Sequence, residues 1–426
     1  MSSSTIPQPW QLGVNHHEWR PFQFEAIRNV FDTLKQKPIS ILEAPTGTGK
    51  TAIATAVAGL EGGFGKATVV VQNLGLLEQY KDYGFSILKG KQAYPCVLDK
   101  RVQEWKKNFG IKPTAADCPY AEMYQCPAGT SCPYMIARKK ALGSSRMACT
   151  YKYAALSKKV QNRTGLFVMD EIHNAVSEIL GIGSFQMDDD TRIKMKLPKF
   201  PLMNYGDGEG DLLHEDDIED ITGWIFSSMR KMGNIDLFDE ITPEGTKKKK
   251  MLERFQSLLE LLSVCRGEVF YKCAKEEIWR AGSKKKMWRM VFRTISPSYL
   301  YHKMVSSKDK ILMMSATIGS PGALIAGELR IKSGSYDYVR FPHPVPSGKR
   351  PIYDIAEAPM SHANLSAKPW LYDQQAKRIA QFIENRTHPN WRGIVLTTSY
   401  YKIDKLRDGL KKYLGTRRIF KDKSSS

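Results

Sequence analysis

The sequence predicts an α/β fold organised around a parallel β-sheet, on the basis of three observations. Residues 38–43 form a short run typical of a buried strand, and the alanine-rich run 50–60 has the composition of a helix. A glycine-rich loop at 46–49 separates these two segments. A second apolar run, 166–169, ends in two carboxylates, as a buried parallel strand does at its carboxyl edge.

The loop between the first strand and the helix has the residue pattern of a phosphate-binding loop. Its glycines let backbone N–H groups curl around an anion, and the helix N-terminus adds partial positive charge. We expect Lys50 to reach the β- and γ-phosphates of ATP and Thr51 to coordinate Mg²⁺. The strict pattern begins with glycine, and this chain has the small residue Ala44 there. The predicted nucleotide-binding residues of the loop are Ala44, Pro45, Thr46, Gly47, Thr48, Gly49, Lys50 and Thr51.

The carboxylate pair after the second strand supplies further groups for nucleotide hydrolysis. Asp170 is placed to hold Mg²⁺, and Glu171 is placed to orient and deprotonate the attacking water. A solvated acidic turn is the alternative for an isolated Asp-Glu pair, but this pair accompanies a phosphate loop and is followed by His173. The predicted catalytic residues are therefore Lys50, Asp170 and Glu171.

Four of the seven cysteines lie between the two motifs, with the spacing C-x21-C-x7-C-x5-C. This spacing lacks the C-x2-C pairs of zinc ribbons and suits a 4Fe–4S cluster, whose corners accept widely separated thiolates. Buried or free thiols are the alternative. Disulfides are disfavoured because no signal peptide is present and cytosolic thiols stay reduced. The predicted cluster ligands are Cys96, Cys118, Cys126 and Cys132, whereas Cys149, Cys265 and Cys273 are expected to be ordinary cysteines.

The order of these motifs resembles the XPD/DinG family of iron–sulfur superfamily 2 DNA helicases. Arg20-Pro-Phe-Gln23 is similar to the family's adenine-sensing element, which implies ATP contacts by Arg20, Gln23 and, after the carboxylate pair, His173. Ser315-Ala316-Thr317 is similar to the motif that couples hydrolysis to strand movement. The other matching segments are Val69–Gln79, Cys132–Arg138, Thr150–Tyr153 and Gly393–Tyr400.

The resemblance implies a RecA-like P-loop motor domain with an inserted Fe–S domain, an inserted, mainly helical arch-like domain, and a partial second RecA-like domain. Residues 178–295 carry no motif and are assigned by position. The family's glutamine–glycine–arginine motif would follow Tyr400 and is not found before Ser426. We therefore expect a second polypeptide or a continuation of the chain to complete the motor. The expected limits are 1–90, 138–174 and 296–349 for the first motor domain, 91–137 for the cluster domain, 175–295 for the arch-like insertion and 350–426 for the second motor domain.

The local pattern predicts individual elements inside these limits. Apolar residues at three/four spacing predict a helix over 251–262, and runs at 269–271 and 287–292 are expected strands. In the last segment, 372–385 is expected to be helical and 393–398 to form a strand.

The activity that the resemblance implies is an ATP-dependent DNA helicase moving 5′-to-3′ on single-stranded DNA, with the 4Fe–4S domain where the strands of forked DNA part. Its cofactors would be ATP, Mg²⁺ and the cluster. Basic and aromatic residues interleave in the cysteine segment, which suits backbone neutralisation and base stacking, although a solvated helix face is the alternative. The candidate DNA contacts are Gln72, Asn73, Lys100, Arg101, Trp105, Lys106, Lys107, Arg138 and Tyr151.

Charge and hydropathy restrict the classes of function. The formal net charge of +20 favours a polyanionic partner, with a solubilising surface as the alternative. No apolar run approaches 18 residues, and the N-terminus lacks the features of a signal peptide. We expect a cytoplasmic, nucleoid or nuclear protein, or one of the host cytoplasm if viral, and neither membrane insertion nor secretion. Two other functions stay open: an ATP switch that clamps single strands without unwinding, and a zinc-stabilised scaffold, which Glu171 disfavours.

Overall fold

The computed structural model divides the chain into two compact units, Met1–Pro344 and Val345–Ser426. The residues that the structure describes are 6, 8–14, 16–20, 22–60, 64–110, 112–118, 128–201, 211–233, 243–265, 267–280, 283–319, 322–342, 362–386 and 400–415.

The described residues alternate between strands and helices through most of the first unit. The strands are β1 Ile39–Glu43, β2 Ala67–Val71, β3 Ser86–Leu88, β4 Arg146–Thr150, β5 Leu166–Asp170, β6 Phe185–Asp188, β7 Asp211–Leu212, β8 Val269–Arg280, β9 Ser283–Thr294, β10 Lys310–Ser315 and β11 Tyr336–Arg340. The helices are α1 Gln23–Gln36, α2 Lys50–Gly59, α3 Leu74–Asp82, α4 Asp99–Phe109, α5 Pro133–Gly143, α6 Tyr151–Leu156, α7 Lys158–Gln161, α8 Ile172–Ile182, α9 Asp189–Lys194, α10 Glu215–Met232, α11 Pro243–Val264, α12 Ser298–Val305, α13 Ala323–Glu328, α14 His362–Ala367, α15 Leu371–Arg386 and α16 Tyr400–Leu414.

Seven parallel strands form the main sheet, in the order β11-β1-β10-β5-β2-β4-β3. The order jumps between strands that are far apart in the sequence, so helical connections cross both faces of the sheet. This is the α/β architecture of a RecA-like motor domain, which confirms the predicted fold class. Because the strands are parallel, the residues after β1, β5 and β10 all lie at one carboxyl edge.

Successive residues of the central strands contribute to two different hydrophobic cores. On β5, Phe167 and Met169 face one core, and Leu166 and Val168 face the other. Both faces of the strand are therefore covered, which explains why its sequence is continuously apolar rather than alternating. The same continuous burial extends through β1 and β2.

A second, antiparallel sheet lies between β5 and β10 in the sequence, in the order β6-β9-β8-β7. It forms its own core with α10 and α11, in which the ring centroids of Phe255 and Trp224 lie 5.4 Å apart. Helix α11 contains the helix predicted at 251–262, and β8 and β9 are longer than the strands predicted there.

In the second unit, α15 and α16 pack on each other and bury a small core that includes Ala376 and Leu406. Helix α15 matches the helix predicted at 372–385. The strand predicted at 393–398 lies outside the described residues. Among the helices of the described ranges, none combines the length and the hydropathy that a membrane span requires.

Candidate functional site

The phosphate loop lies between β1 and α2 and has the backbone conformation that its glycines permit. Gly47 and Gly49 have φ angles of 88° and 80°, in the left-handed region that favours glycine. A Cβ on Gly49 would also lie 2.3 Å from Nε2 of Gln23, so this position has no room for a side chain. Helix α2 begins at Lys50, directly after the loop, so the N-terminus of the helix faces the loop.

The side chains of Gln23 and Arg20 donate hydrogen bonds to main-chain carbonyls of this loop. Gln23 is 1% exposed, its Nε2 donates to the carbonyl of Thr48 at 2.8 Å, and its Oε1 accepts from the Arg20 N–H at 2.8 Å. The Arg20 guanidinium donates to the carbonyl of Gly47 at 3.3 Å. Within the loop, the Thr48 hydroxyl donates to the carbonyl of Pro45 at 2.7 Å. The adenine contacts of Arg20 and Gln23 stay predictions, and the observed role of both side chains is to brace the loop.

The three predicted catalytic side chains come together at the carboxyl edge of the sheet. Nζ of Lys50 lies 3.5 Å from Oε1 of Glu171 and 3.4 Å from the carbonyl of Ala44. Glu171 has a φ of 53°, a conformation that is costly for a residue with a Cβ and that occurs most often at functional sites. Its main-chain N–H donates to Oδ1 of Asp170 at 3.0 Å.

Asp170 is buried against two tyrosines: Tyr80, which the sequence pattern did not indicate, and Tyr151, which was expected to contact DNA. The hydroxyl of Tyr80 on α3 donates to Oδ2 of Asp170 at 2.8 Å and also interacts with Thr51, while Tyr151 donates to the main-chain carbonyl of Asp170 at 2.9 Å. Burial raises the pKa of Asp170 to about 6, although the Tyr80 hydrogen bond and Lys50 oppose that rise. Tyr80 thus links the two side chains, Thr51 and Asp170, that could hold Mg²⁺.

The raised pKa of Asp170 predicts a pH dependence of stability in the metal-free protein. Between the ordinary pKa of 3.8 and about 6, the folded protein retains a proton that the unfolded chain has lost, so the free energy of unfolding falls as pH rises. A shift of about two units corresponds to about 3 kcal/mol. Asn at position 170 does not titrate. As the pH rises from about 4 to about 7, we therefore expect the free energy of unfolding of Asp170→Asn to increase relative to that of the unmodified protein by up to this amount.

Urea unfolding of both proteins at the two pH values, with a chelator present, measures this difference. Asp32→Asn, on the exposed face of α1, controls for the loss of a charge. A stability difference between the Asp170 variant and the unmodified protein that does not vary with pH would contradict the expectation.

Ser315, at the end of β10, connects the carboxylate pair with the segment predicted to couple hydrolysis to movement. Its hydroxyl lies 3.2 Å from Oε2 of Glu171 and contacts Nδ1 of His173. The main-chain N–H of Thr317 lies 3.4 Å from the same hydroxyl, and Thr317 is exposed. Ala316 lies between them and is half-buried. Of the three predicted coupling residues, Ser315 is therefore the one in contact with the predicted base.

The candidate DNA contacts differ in accessibility. Asn73 is exposed and caps α3, and Gln72 is half-buried, with its side chain bonded to Asn174 and Glu178. Lys106 and Lys107 are exposed, Arg138 is half-buried, and Lys100 and Arg101 lie in the first turn of α4.

Two aromatic candidates for DNA contact are buried. Trp105 is 2% exposed, and Tyr151 is fully buried, with its hydroxyl donating to the Asp170 carbonyl. Because neither ring is accessible, this structure does not fit base stacking on Trp105 or a DNA contact by Tyr151.

Three of the four predicted cluster cysteines are described, and Cys126 lies outside the described residues. Cys96, Cys118 and Cys132 are half-buried, and none forms a disulfide. The Cys96 N–H donates to the carbonyl of Pro113, which brings the chain on either side of α4 together. Within the described ranges, no three Cys, His, Asp or Glu side chains converge as a metal-binding group. The thiol donors suit an iron–sulfur cluster chemically, and the cluster itself stays a prediction.

Comparisons with known proteins agree with this architecture. The family model described as "Type III restriction enzyme, res subunit" matches residues 16–197, which include the phosphate loop and the carboxylate pair. No curated protein sequence matches the chain significantly. The fold and the site thus define a P-loop α/β domain with a candidate site for a nucleoside triphosphate at the carboxyl edge of its parallel sheet.

Solved structures of XPD helicases are among the 42 chains that match. One titled "XPD_Helicase" is 16% identical, with 92% of this chain and 75% of that chain covered and a TM-score of 0.47. "Truncated XPD" is 15% identical, with 74% and 98% covered and a TM-score of 0.40. The Xpd4 structure from S. tokodaii is 14% identical, with 92% and 74% covered and a TM-score of 0.46. No activity, partner or site of this chain is inferred from these similarities.

Proposed function

We propose that this chain is the motor of an ATP-dependent DNA helicase, which couples ATP hydrolysis to 5′-to-3′ movement on single-stranded DNA and to duplex unwinding. The observation that carries the proposal is the convergence of Lys50, Glu171 and Ser315 at one edge of the parallel sheet. The proposed base, Glu171, is thereby in contact both with the proposed phosphate-binding lysine and with the proposed coupling hydroxyl.

Hydrolysis uses the chain's own groups as follows. The loop N–H groups and Lys50 bind the β- and γ-phosphates. The ion pair with Glu171 positions the Lys50 ammonium for this contact. Glu171 orients the attacking water and accepts its proton. Thr51 and Asp170 would hold Mg²⁺, which neutralises charge on the phosphate oxygens when bound. Tyr80 fixes the orientation of the Asp170 carboxylate.

Coupling to DNA follows from the contacts of Ser315. Its hydroxyl contacts both Glu171 and His173, so a change in the water or phosphate next to Glu171 alters the hydrogen bonds of the 315–317 segment. Thr317, at the exposed end of that segment, is then free to change its contact with a DNA strand. A packed, hydrogen-bonded chain of this kind is a physical route for coupling between two ligands.

The nucleic-acid partner is supported by charge. The net charge of +20 and the exposed Lys106 and Lys107 favour a polyanion, because neutralising phosphates releases counterions. Forked DNA is the proposed substrate, and the thiols of the cysteine segment are proposed to hold a 4Fe–4S cluster where the strands part. The cluster would be structural, because no step of hydrolysis needs a change of redox state.

The test is ATP hydrolysis measured with and without single-stranded DNA, beside strand displacement on duplexes with a 5′ or a 3′ tail. With the polypeptide expected above to complete the motor present, we expect stimulated hydrolysis and displacement of the 5′-tailed duplex, and the 426-residue chain alone should do both poorly. Lys50→Ala is the inactive control. Stimulated hydrolysis without displacement would instead identify a clamp that switches with ATP. Equal hydrolysis with and without DNA would contradict a DNA motor.

A further inference from the structure

Glu43 immediately precedes the phosphate loop, and none of the hydrolysis steps above uses its carboxylate. It is the last residue of β1 and is 7% exposed. The strand register places it level with Ser315 of β10 on one side and with Arg340 of β11 on the other. A buried carboxylate at this junction requires partners, since burying an unpaired charge is costly.

Both carboxylate oxygens of Glu43 have such partners. Oε2 accepts from the main-chain N–H groups of Ile318 at 3.1 Å and Gly319 at 2.9 Å, and from the Tyr338 hydroxyl at 2.8 Å. Nε of Arg340 lies 3.2 Å from Oε1. Burial raises the pKa of Glu43, but these bonds outweigh burial and hold the pKa below its ordinary value of 4.5. The group is therefore a charged acceptor at neutral pH.

The partners of Glu43 tie the phosphate loop to the turn that follows Ser315. The Ala44 N–H donates to the Ser315 carbonyl at 2.9 Å, so main chain and side chain link the same two segments. Gly319, which donates the second of these bonds, has a φ of 85°, in the left-handed region that favours glycine. The turn 316–319 is thus held by Glu43 at one end and, through Ser315, by Glu171 at the other.

We propose that Glu43 is a positioning residue that holds the turn 316–319 in register with the phosphate loop, so that nucleotide binding changes the turn. The expected effect of Glu43 on DNA-stimulated hydrolysis rests on the function proposed above. Glu43 contacts neither nucleotide nor water in this role. It acts through the main-chain N–H groups of Ile318 and Gly319. The hydrogen exchange rates of these two amides therefore report its effect directly.

Hydrogen–deuterium exchange of the 316–319 turn, with and without a non-hydrolysable ATP analogue, tests the proposal. In Glu43→Gln we expect exchange at Ile318 and Gly319 to be about tenfold or more faster, because hydrogen bonds to a charged acceptor are lost. We also expect the nucleotide-dependent change at these amides to disappear. Tyr338→Phe should give a smaller effect of the same kind, and it serves if Glu43→Gln does not fold. Tyr336→Phe, two residues earlier on β11, is the matched control.

Two further measurements separate positioning from nucleotide binding. Affinity for the ATP analogue should stay within about threefold of the unmodified protein in both variants, while the stimulation of kcat by DNA falls about tenfold at unchanged KM for ATP. Unchanged turn exchange in Glu43→Gln, or a loss of analogue affinity matching that of Lys50→Ala, would overturn the proposal. If the unmodified protein failed to bind the analogue, the proposed function would fall, and the exchange rates without nucleotide would still decide whether Glu43 anchors the turn.

Discussion

Glu171→Gln is expected to lower the rate of ATP hydrolysis by about 10²–10⁴-fold while ATP stays bound. The substitution removes the proton acceptor but keeps the shape of the side chain. Asp170 retains its hydrogen bond from Tyr80, so the candidate Mg²⁺ ligands are not disturbed. The measurement is single-turnover hydrolysis beside nucleotide binding by fluorescence.

Lys50→Ala is expected to abolish hydrolysis by a different route. Lys50 lies at the N-terminus of α2 within 3.5 Å of Glu171, and it is the side chain proposed to reach the phosphates. Its loss removes a charge-assisted contact, so ATP affinity should fall as well, by roughly tenfold or more. The two variants therefore differ in binding although both lose turnover.

Controls for both substitutions lie on the surface of the same unit. Glu328→Gln at the end of α13 and Lys332→Ala after it are exposed and should hydrolyse ATP at the normal rate. Normal hydrolysis by Glu171→Gln would show that another group accepts the proton. Unchanged ATP affinity in Lys50→Ala would remove the phosphate contact assigned to that lysine.

Replacing any one of Cys96, Cys118, Cys126 and Cys132 by Ser is expected to remove the brown colour and most of the iron from anaerobically purified protein. A four-thiolate cubane holds about four iron atoms per chain and needs all four corners ligated. Iron analysis and the absorption spectrum measure the loss directly, without relying on activity.

The matched controls are two buried cysteines. Cys149 lies at the centre of β4, where burial raises the pKa of its thiol to about 12, and Cys265 lies in the core beneath the second sheet. Such thiols are poor metal ligands, because the thiolate is the ligand. Iron should therefore stay bound in Cys149→Ala and Cys265→Ala. Stoichiometric zinc without iron in the unmodified protein would exclude the cluster.

The parts of the site that could be predicted from sequence are contiguous in sequence. The phosphate loop and the Asp170-Glu171 pair each follow directly from a buried strand, so local composition fixes both the element and the side chain at its end. For the same reason the helix at 371–386 and the two strands at these motifs were predictable to within a few residues.

The supporting groups were not predictable, because long-range pairing creates them. Tyr80 meets Asp170 only because α3 packs against β4 and β2, and β2 pairs with β5. Glu43 meets Ile318 only because β1 pairs with β10. No residue pattern near position 43 or 80 encodes those pairings. Local pattern also failed for Trp105, since interleaved basic and aromatic residues do not indicate which face of a helix is buried.

The strand order also governs when the chain can fold. Strand β10 lies between β1 and β5 in the main sheet and pairs with both of them. In the sequence, however, β10 follows every strand of the antiparallel sheet, so the ribosome synthesises it later. Until β10 is synthesised, β1 and the group β5-β2-β4-β3 have strand edges without their β10 partner. Such unpaired edges can pair with other chains and promote aggregation. The antiparallel sheet has its own core, and all four of its strands precede β10 in the sequence, so it can form first. A ribosome-bound chain that ends before Lys310 should therefore carry a folded insertion and an unjoined main sheet.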